Sequence, residues 1–551
     1  MGSLVNRALK MFNPGRARRW LRRRWSHVFN NARIRQVNHT VSVRGNAVRI
    51  AAQTLEARPV IFFNASTRLS GLSLNAAYNL VTSWAVRLAG VPVVNFVCEA
   101  GMSRCVLGTN RADLSSPPPC AECTGQSRAV YAQSLARRFA FHAHPPLQAA
   151  LEGCSVPELE QFEYEGIPLG PLALPSMRWI LRRHHLNDDA ATRWLYGQYI
   201  LSAWGISQEF ARLLDETQPQ AVVVFNGMFY PEATARWVAW QRGVRVISHE
   251  VGLRPYTAYF TTGDATAYPI HIPDNFELTA EQNRRLDAYL EKRMQGNFSM
   301  AGVRFWPEMR GLDQAFLERA AQFRQVVPVF TNVIFDTSQP HSNVVFPHMF
   351  AWLDLVVELA RAHPQTLFVI RAHPDEARPG KESRESVADW VRKNDACALP
   401  NVIFVEPQQY FSSYELIQRS KFVMVYNSTI GLEAALMGAP VLCGGRARFT
   451  QLPTVFFPQS TEEYRRQAET FLAAEKIKIP AEFKRNARRF LYFQLYRTSL
   501  PLDAFIEEDG VWPGYVRVKH LEVSAFDPRQ SPVLRTIVDG VLRGEEFLLN
   551  E

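Results

Sequence analysis

Short apolar runs recur along this chain, separated by polar turns and by stretches of helical composition. Residues 59–63, 91–97, 220–225, 244–248, 326–331, 367–371, 401–405, 422–426 and 439–442 are runs of strand length, rich in Val, Ile and Phe. Residues 75–89, 232–242, 350–362, 414–419 and 432–437 have helical composition and lie between them. Strands alternating with helices imply βαβ units and parallel sheets. The runs are continuous rather than alternating, as expected of strands covered on both faces. They form two series, and a charged, helix-rich stretch (275–325) separates them. The predicted class is α/β with two Rossmann-like domains facing a cleft. Residues 1–50 form a basic N-terminal extension, 51–320 the first domain, 321–500 the second, and 501–551 a C-terminal helical extension ending in a helix over 531–549.

The most informative stretch is 421–446, KFVMVYNSTIGLEAALMGAPVLCGGR. It reads as strand, polar turn, short helix, Gly438 at the helix end, and a new strand. The first N–H groups of a helix lack intrahelical partners and carry partial positive charge. Ser428, Thr429 and Ile430 therefore offer a phosphate site, Gly431 permits close approach of a ligand, and Glu433 in the first turn suits sugar hydroxyls. A plain βαβ turn with Glu433 in solvent is the alternative. Residues 368–376, FVIRAHPDE, read as a buried strand entering a turn in which Pro374 keeps His373 out of helix. Arg371 and His373 would then supply donors to phosphate oxygens from a neighbouring strand end.

Arg371-Ala372-His373-Pro374, followed about fifty residues later by NSTIGLEAALMGAPV, resembles the bacterial capsule and surface-polysaccharide biosynthesis glycosyltransferases. That group has the two-domain GT-B fold and includes Kdo transferases of capsule assembly. The resemblance lies between about residues 330 and 446. It implies a cleft-facing loop at 331–336, with Asn332 and Asp336 as further site candidates, and a nucleobase contact at Glu406-Pro407. It implies a nucleotide-sugar donor and a glycan or lipid-linked glycan acceptor. No convincing acidic pair of the metal-binding kind stands at a strand end, so transfer is expected to need no cofactor. Positions eight away from Glu433 are Val425 and Val441, so the paired glutamates of many retaining GT-B enzymes are absent. An epimerase or polyol-phosphate polymerase on the same fold, or a non-catalytic scaffold, are the other readings.

The first domain carries its own candidates. The strand over 244–248 ends in His249-Glu250, where a base could take the acceptor's hydroxyl proton; Glu250 is the first choice and His249 the second. A hydrogen-bonding pair without catalytic duty is the alternative. Ser66, Thr67 and Arg68 follow the first strand as acceptor contacts or ordinary caps. Cys98, Cys105, Cys120 and Cys123 fall within 26 residues, the last two as Cys-x-x-Cys, and suit a structural zinc site or a cluster, or are buried free thiols. His184 and His185, beside Arg182 and Arg183, read as a surface patch.

Composition adds two things. The chain has 551 residues, 47% of them hydrophobic, and only seven cysteines, which fits a globular protein of two large domains in a reducing compartment. No window approaches the roughly 18 apolar residues of a membrane span, and no secretory signal is read at the N-terminus, so a cytoplasmic location is expected. The net charge is +10, yet residues 1–35 hold ten Lys or Arg and no acid, leaving 52 of each sign elsewhere. Arg16 to Arg24, interleaved with Trp20, Leu21 and Trp25, suit an anionic membrane surface on its inner face. A disordered basic tail and RNA binding are the alternatives, and no specific nucleic-acid partner is expected.

Overall fold

The computed structural model describes residues 14–52, 56–65, 71–294, 311–409, 411–512 and 514–551, with side chains from residue 30 onward. The first domain contains β1 (Val60–Phe63), β2 (Leu72–Ser73), β3 (Val93–Cys98), β4 (Leu135–Phe139), β5 (Ala221–Phe225), β6 (Arg245–Val251) and β7 (Thr257–Thr261). The second contains β8 (Gln325–Phe330), β9 (Thr366–Arg371), β10 (Val402–Val405), β11 (Val423–Val425) and β12 (Val441–Cys443). Near the C-terminus follow β13 (Leu500–Pro501), β14 (Ile506–Glu508) and β15 (Tyr515–Val518). The helices that matter below are α1 (Pro14–Ala51), α2 (Leu74–Leu88), α3 (Cys120–Val130), α4 (Ile430–Met437), α5 (Ala481–Tyr492) and α6 (Pro532–Arg543).

The second sheet is wholly parallel, in the order β10-β9-β8-β11-β12. The chain moves outward from β8 in one direction and returns to its other side with β11. The topological switch therefore lies between β8 and β11, and ligands of such sheets bind at the strand ends there. The first sheet has the order β13-β7-β6-β5-β1-β3-β4 and is parallel from β4 to β6. Its switch lies between β1 and β5, at Asn64 and Asn226. Most central strands are buried throughout, with burial unbroken along β1, β5 and β9, which is why their sequences run as continuous hydrophobics. The two Rossmann-like domains are those expected.

The termini complete the first domain. After α5 and a π-helical turn (Phe493–Arg497), β13 pairs antiparallel with β7. β14 and β15 form a hairpin that adds to β2, and α6 buries Val533, Leu534, Ile537, Val538 and Val541 in the core shared with α2. The C-terminal extension is thus a hairpin plus a helix, and that helix stops at Arg543 because Gly544 takes the left-handed capping conformation (φ 78°). Val37, Val41 and Val48 of α1 enter the same core, and Asn38 and Gln126 exchange amide hydrogen bonds of 2.9 and 2.8 Å. Among the described residues no helix is long and apolar enough to cross a membrane.

Candidate functional site

The second domain has a polar corner at its switch point, where β11 turns into α4. The Asn427 N–H donates to Asn332 Oδ1 (3.3 Å), so Asn332 ties the β8 end to the β11 end. Thr429 already has helical angles (φ −60°, ψ −20°) and gives α4 no side-chain cap. The Gly431 and Leu432 N–H groups turn back to Ser428 O (3.0 Å) and Thr429 O (3.1 Å). Among the described residues no acceptor meets the N–H groups of Ser428, Thr429 or Ile430. An uncapped helix start with free amides is the local arrangement that favours a phosphate.

Two residues of this stretch have other duties. A Cβ on Gly431 would lie 2.9 Å from Val425 Cγ2 and 3.0 Å from Phe449 Cζ, so the glycine lets α4 sit close on β11 rather than admitting a ligand. Glu433 points into the core. Its Oε1 accepts from Arg293 Nε (2.9 Å) and Nη2 (2.6 Å), and its Oε2 accepts from Tyr414 Oη (2.5 Å). Both side chains of this ion pair are under a tenth exposed. Glu433 is a buried anchor of α4, not a hand for sugar hydroxyls.

Arg371 ends β9, buried, and burial lowers its guanidinium to about 10. Its carbonyl accepts from the Thr331 N–H (3.2 Å) and Oγ1 (2.9 Å). His373 Nδ1 accepts from the Asp375 N–H at 3.1 Å, which leaves the proton of the neutral ring on Nε2 as a donor. Burial lowers the His373 pKa, opposed by the Asp375 and Asp336 carboxylates. Glu406 is exposed at the end of the edge strand β10, its N–H held by Gln409 Oε1 (2.7 Å).

In the first domain, β6 does not stop at Ser248. β7 pairs with it antiparallel, matching Ser248 to Thr261 and Val251 to Ala258, and this keeps His249 and Glu250 within the strand. Successive strand residues point to opposite faces, so the two cannot serve one reacting centre. His249 is fully buried beside Phe225 and Phe260, and neither ring nitrogen meets a polar partner among the described residues. Burial lowers it to about 3. A ring sealed among aromatics has no path to an acceptor hydroxyl, which removes the second-choice base. Glu250 faces the other way. It accepts from Asn226 Nδ2 (2.7 Å), the Val251 N–H (2.8 Å) and Asn75 Nδ2 (3.5 Å). Burial raises its pKa, and those hydrogen bonds hold the rise in check.

Glu250 lines a cleft between the domains. Its walls are Glu250–Leu253, Thr266 and Tyr268 from the first domain, and Asp336, Thr337, Ser338 and Arg448 from the second. About 630 Å³ there is free of protein atoms, the open mouth included. The Arg448 guanidinium lies over the Tyr268 ring, 3.5 Å from its centroid. Gln451 Nε2 donates to Tyr268 O (2.9 Å), and Thr266 Oγ1 meets His341 Nε2 (2.9 Å), so the domains are clasped beside the cleft. Gln339 Nε2 donates to Asn427 Oδ1 (3.4 Å), which links the 336–339 stretch to the residue before the free amides. Tyr268, Thr337, Ser338 and Arg448 were not anticipated; the Gly-Gly-Arg-Ala-Arg run after β12 was the available signal for Arg448. Glu385 of the second domain accepts from the backbone N–H groups of His184 and His185 (2.8 and 3.0 Å); His184 is buried there and leaves the expected surface patch, while His185 stays exposed. Ser66, Thr67 and Arg68 fall outside the described residues.

Cys98, Cys105, Cys120 and Cys123 are free thiols lining one cavity at the β3 end. Burial raises Cys98 and Cys105 to about 12. Among the described residues no three His, Cys, Asp or Glu side chains gather as ligands of a single ion.

Solved structures give weak similarities. A beta Kdo 2,7 transferase, KpsC, from Thermosulfurimonas dismutans is 15% identical over 53% of this chain and 81% of its own, with a TM-score of 0.32. A UDP-GlcNAc 2-epimerase from Neisseria meningitidis, bound to UDP-GlcNAc, is 12% identical over 79% of this chain and 96% of its own, at 0.23. Sucrose-phosphate synthase from Thermosynechococcus elongatus is 12% identical over 81% and 96%, at 0.27. Nothing about this chain's reaction follows from similarities of this size. No curated protein matches the sequence. Residues 311–471, which hold the second of the two Rossmann-like domains, match the family described as capsule polysaccharide biosynthesis protein.

Proposed function

We propose that the protein transfers a sugar from a nucleotide-activated donor to a surface or capsular polysaccharide acceptor. One observation carries the reading: the partly buried Glu250 carboxylate of the first domain lines an interdomain cleft whose opposite wall, the 336–338 loop, is tied through Gln339 to Asn427, the residue before the uncapped helix start. The donor's phosphates rest on the amides of Ser428, Thr429 and Ile430, with Arg371, the His373 Nε2–H and Arg448 supplying further donors. Glu406 and the loop after it reach the nucleobase. Glu250 takes the proton of the acceptor hydroxyl as its oxygen bonds to the anomeric carbon. The bond from that carbon to the phosphate oxygen breaks, and the nucleotide leaves as an anion neutralised by the amides and cations. No metal is needed where that neutralisation is supplied by the protein. A single displacement of this kind inverts the anomeric centre.

The test is product analysis with defined donors and acceptors, by mass spectrometry and anomeric NMR. The expected result is a lengthened acceptor, free nucleotide and inverted configuration. An epimerised donor with the acceptor unchanged would overturn the proposal. The basic N-terminal half of α1 is proposed to hold the protein on an anionic membrane surface, and equal sedimentation with neutral and anionic vesicles would refute that.

A further inference from the structure

Between β3 and β4 the chain spends residues 99–134 on one excursion in which α3 is the regular element. A segment that long and that irregular needs a constraint beyond its own small core. Cys98 ends β3, Cys105 lies in the excursion, and Cys120 and Cys123 occupy the first turns of α3. All four line one cavity, together with Met102, Leu107, Pro118 and Pro119. About 450 Å³ there is free of protein atoms, the mouth included.

The backbone is shaped around these sulfurs. Cys98-Glu99-Ala100-Gly101 and Cys105-Val106-Leu107-Gly108 are two turns of the same Cys-x-x-Gly spacing. In each, the glycine N–H donates to the cysteine sulfur, at 3.3 Å to Cys98 Sγ and 3.1 Å to Cys105 Sγ. A Cβ on Gly108 would come within 2.9 Å of Cys105 Sγ and 2.7 Å of Pro118 Cβ, and one on Gly101 within 2.2 Å of the Phe139 ring. Neither turn has room for a side chain at its glycine. Amides aimed at sulfur stabilise thiolate ligands of metal centres. Buried thiols with no further role require neither the convergence of all four nor the matched turns.

We propose that Cys98, Cys105, Cys120 and Cys123 are the four thiolate ligands of an iron–sulfur cluster with a structural role. A single zinc draws its sulfurs to within about 2.3 Å of one point. Here the four cysteines line a cavity, and among the described residues no three side chains gather on one ion. Ligation releases the four thiol protons. The same excursion reaches the second domain: Arg111 Nη1 donates to Gly380 O (3.0 Å) and Arg384 Nη2 donates to Arg111 O (3.0 Å). The cluster fixes the loop that makes this bridge.

The test is metal analysis of the full chain purified without oxygen, independent of any glycosyl-transfer assay. Iron and acid-labile sulfide in equal, stoichiometric amounts, with visible absorption, are expected. Both should fall to background in Cys120→Ser and Cys123→Ser and persist in Cys397→Ser, whose thiol is exposed and remote. One zinc per chain without iron would overturn the cluster while keeping the four-thiolate site. Neither metal, with wild type and Cys120→Ser melting alike, would overturn both.

Discussion

Replacing Glu250 with Gln separates catalysis from folding at the cleft. The carboxylate accepts from Asn226 Nδ2 at Oε2 and from the Val251 N–H at Oε1. A glutamine keeps the shape but must turn its NH₂ toward one of these donors. Asn226 cannot flip freely to relieve the clash, because its Oδ1 already accepts from the Met228 N–H at 3.1 Å. The structural cost is about one unsatisfied buried donor, ~1–3 kcal/mol. The catalytic cost is the loss of a general base, about 10²–10⁴ in rate, or ~3–5 kcal/mol of barrier at 1.36 kcal/mol per decade. Initial rates with saturating donor and acceptor measure the second, and denaturant unfolding measures the first. The donor KM should hardly change, since the group does not touch the nucleotide. The wild-type rate should rise with pH through a pKa above the ordinary glutamate value, because burial raises Glu250 and a base must be ionised; Glu250→Gln should lose that limb. A variant turning over within about threefold of wild type, far short of the ~10² minimum, would refute Glu250 as the base.

Other consequences follow from the packing. Glu433→Ala removes the carboxylate that pairs with the buried Arg293 guanidinium and should destabilise the fold by about 3–5 kcal/mol, measured by urea unfolding; a stable variant with weakened sugar binding would restore Glu433 to the donor site. Gly431→Ala forces a methyl against Val425 and Phe449 and should cost about 1–3 kcal/mol while weakening donor binding as α4 shifts; unchanged melting and affinity would contradict it. Glu376 is buried, its carboxyl bonded to the Val387 N–H (3.2 Å), and burial raises it from 4.5 to about 8. The fold therefore favours its protonated form. That contribution is complete below about pH 4.5 and is lost as pH rises through about 8, with a slope no steeper than ~1.4 kcal/mol per pH unit. Glu376→Gln should flatten the decline of stability across that window, and an unaltered slope would refute the assignment.

The central strands could be read in the sequence because burial on both faces makes them unbroken apolar runs. β4 (Leu-Ala-Arg-Arg-Phe) and β7 (Thr-Ala-Tyr-Phe-Thr) could not be read this way. β4 is a half-exposed edge, and β7 owes its place to antiparallel pairing with a β6 longer than its composition suggested. The free amides at Ser428–Ile430 followed from local chemistry. The fate of Glu433 did not, because its partner Arg293 stands 140 residues away. Tyr268 and Arg448 likewise meet only when two domains close. His249 and Glu250 look alike in sequence, and strand alternation sends one into aromatic packing and the other toward the cleft.

The central claim is that the corner at Ser428–Ile430 grips the anionic part of an activated sugar. Its most direct test is a thermal-shift panel of CMP-, UDP-, GDP- and CDP-linked sugars, followed by a crystal structure with whichever stabilises. At a hundredfold excess over Kd the stabilisation should be about 2.7 kcal/mol, lost in His373→Ala, with phosphate density on those three amides. No stabilisation by any donor, or density seated elsewhere with the corner filled by side chains, would contradict it.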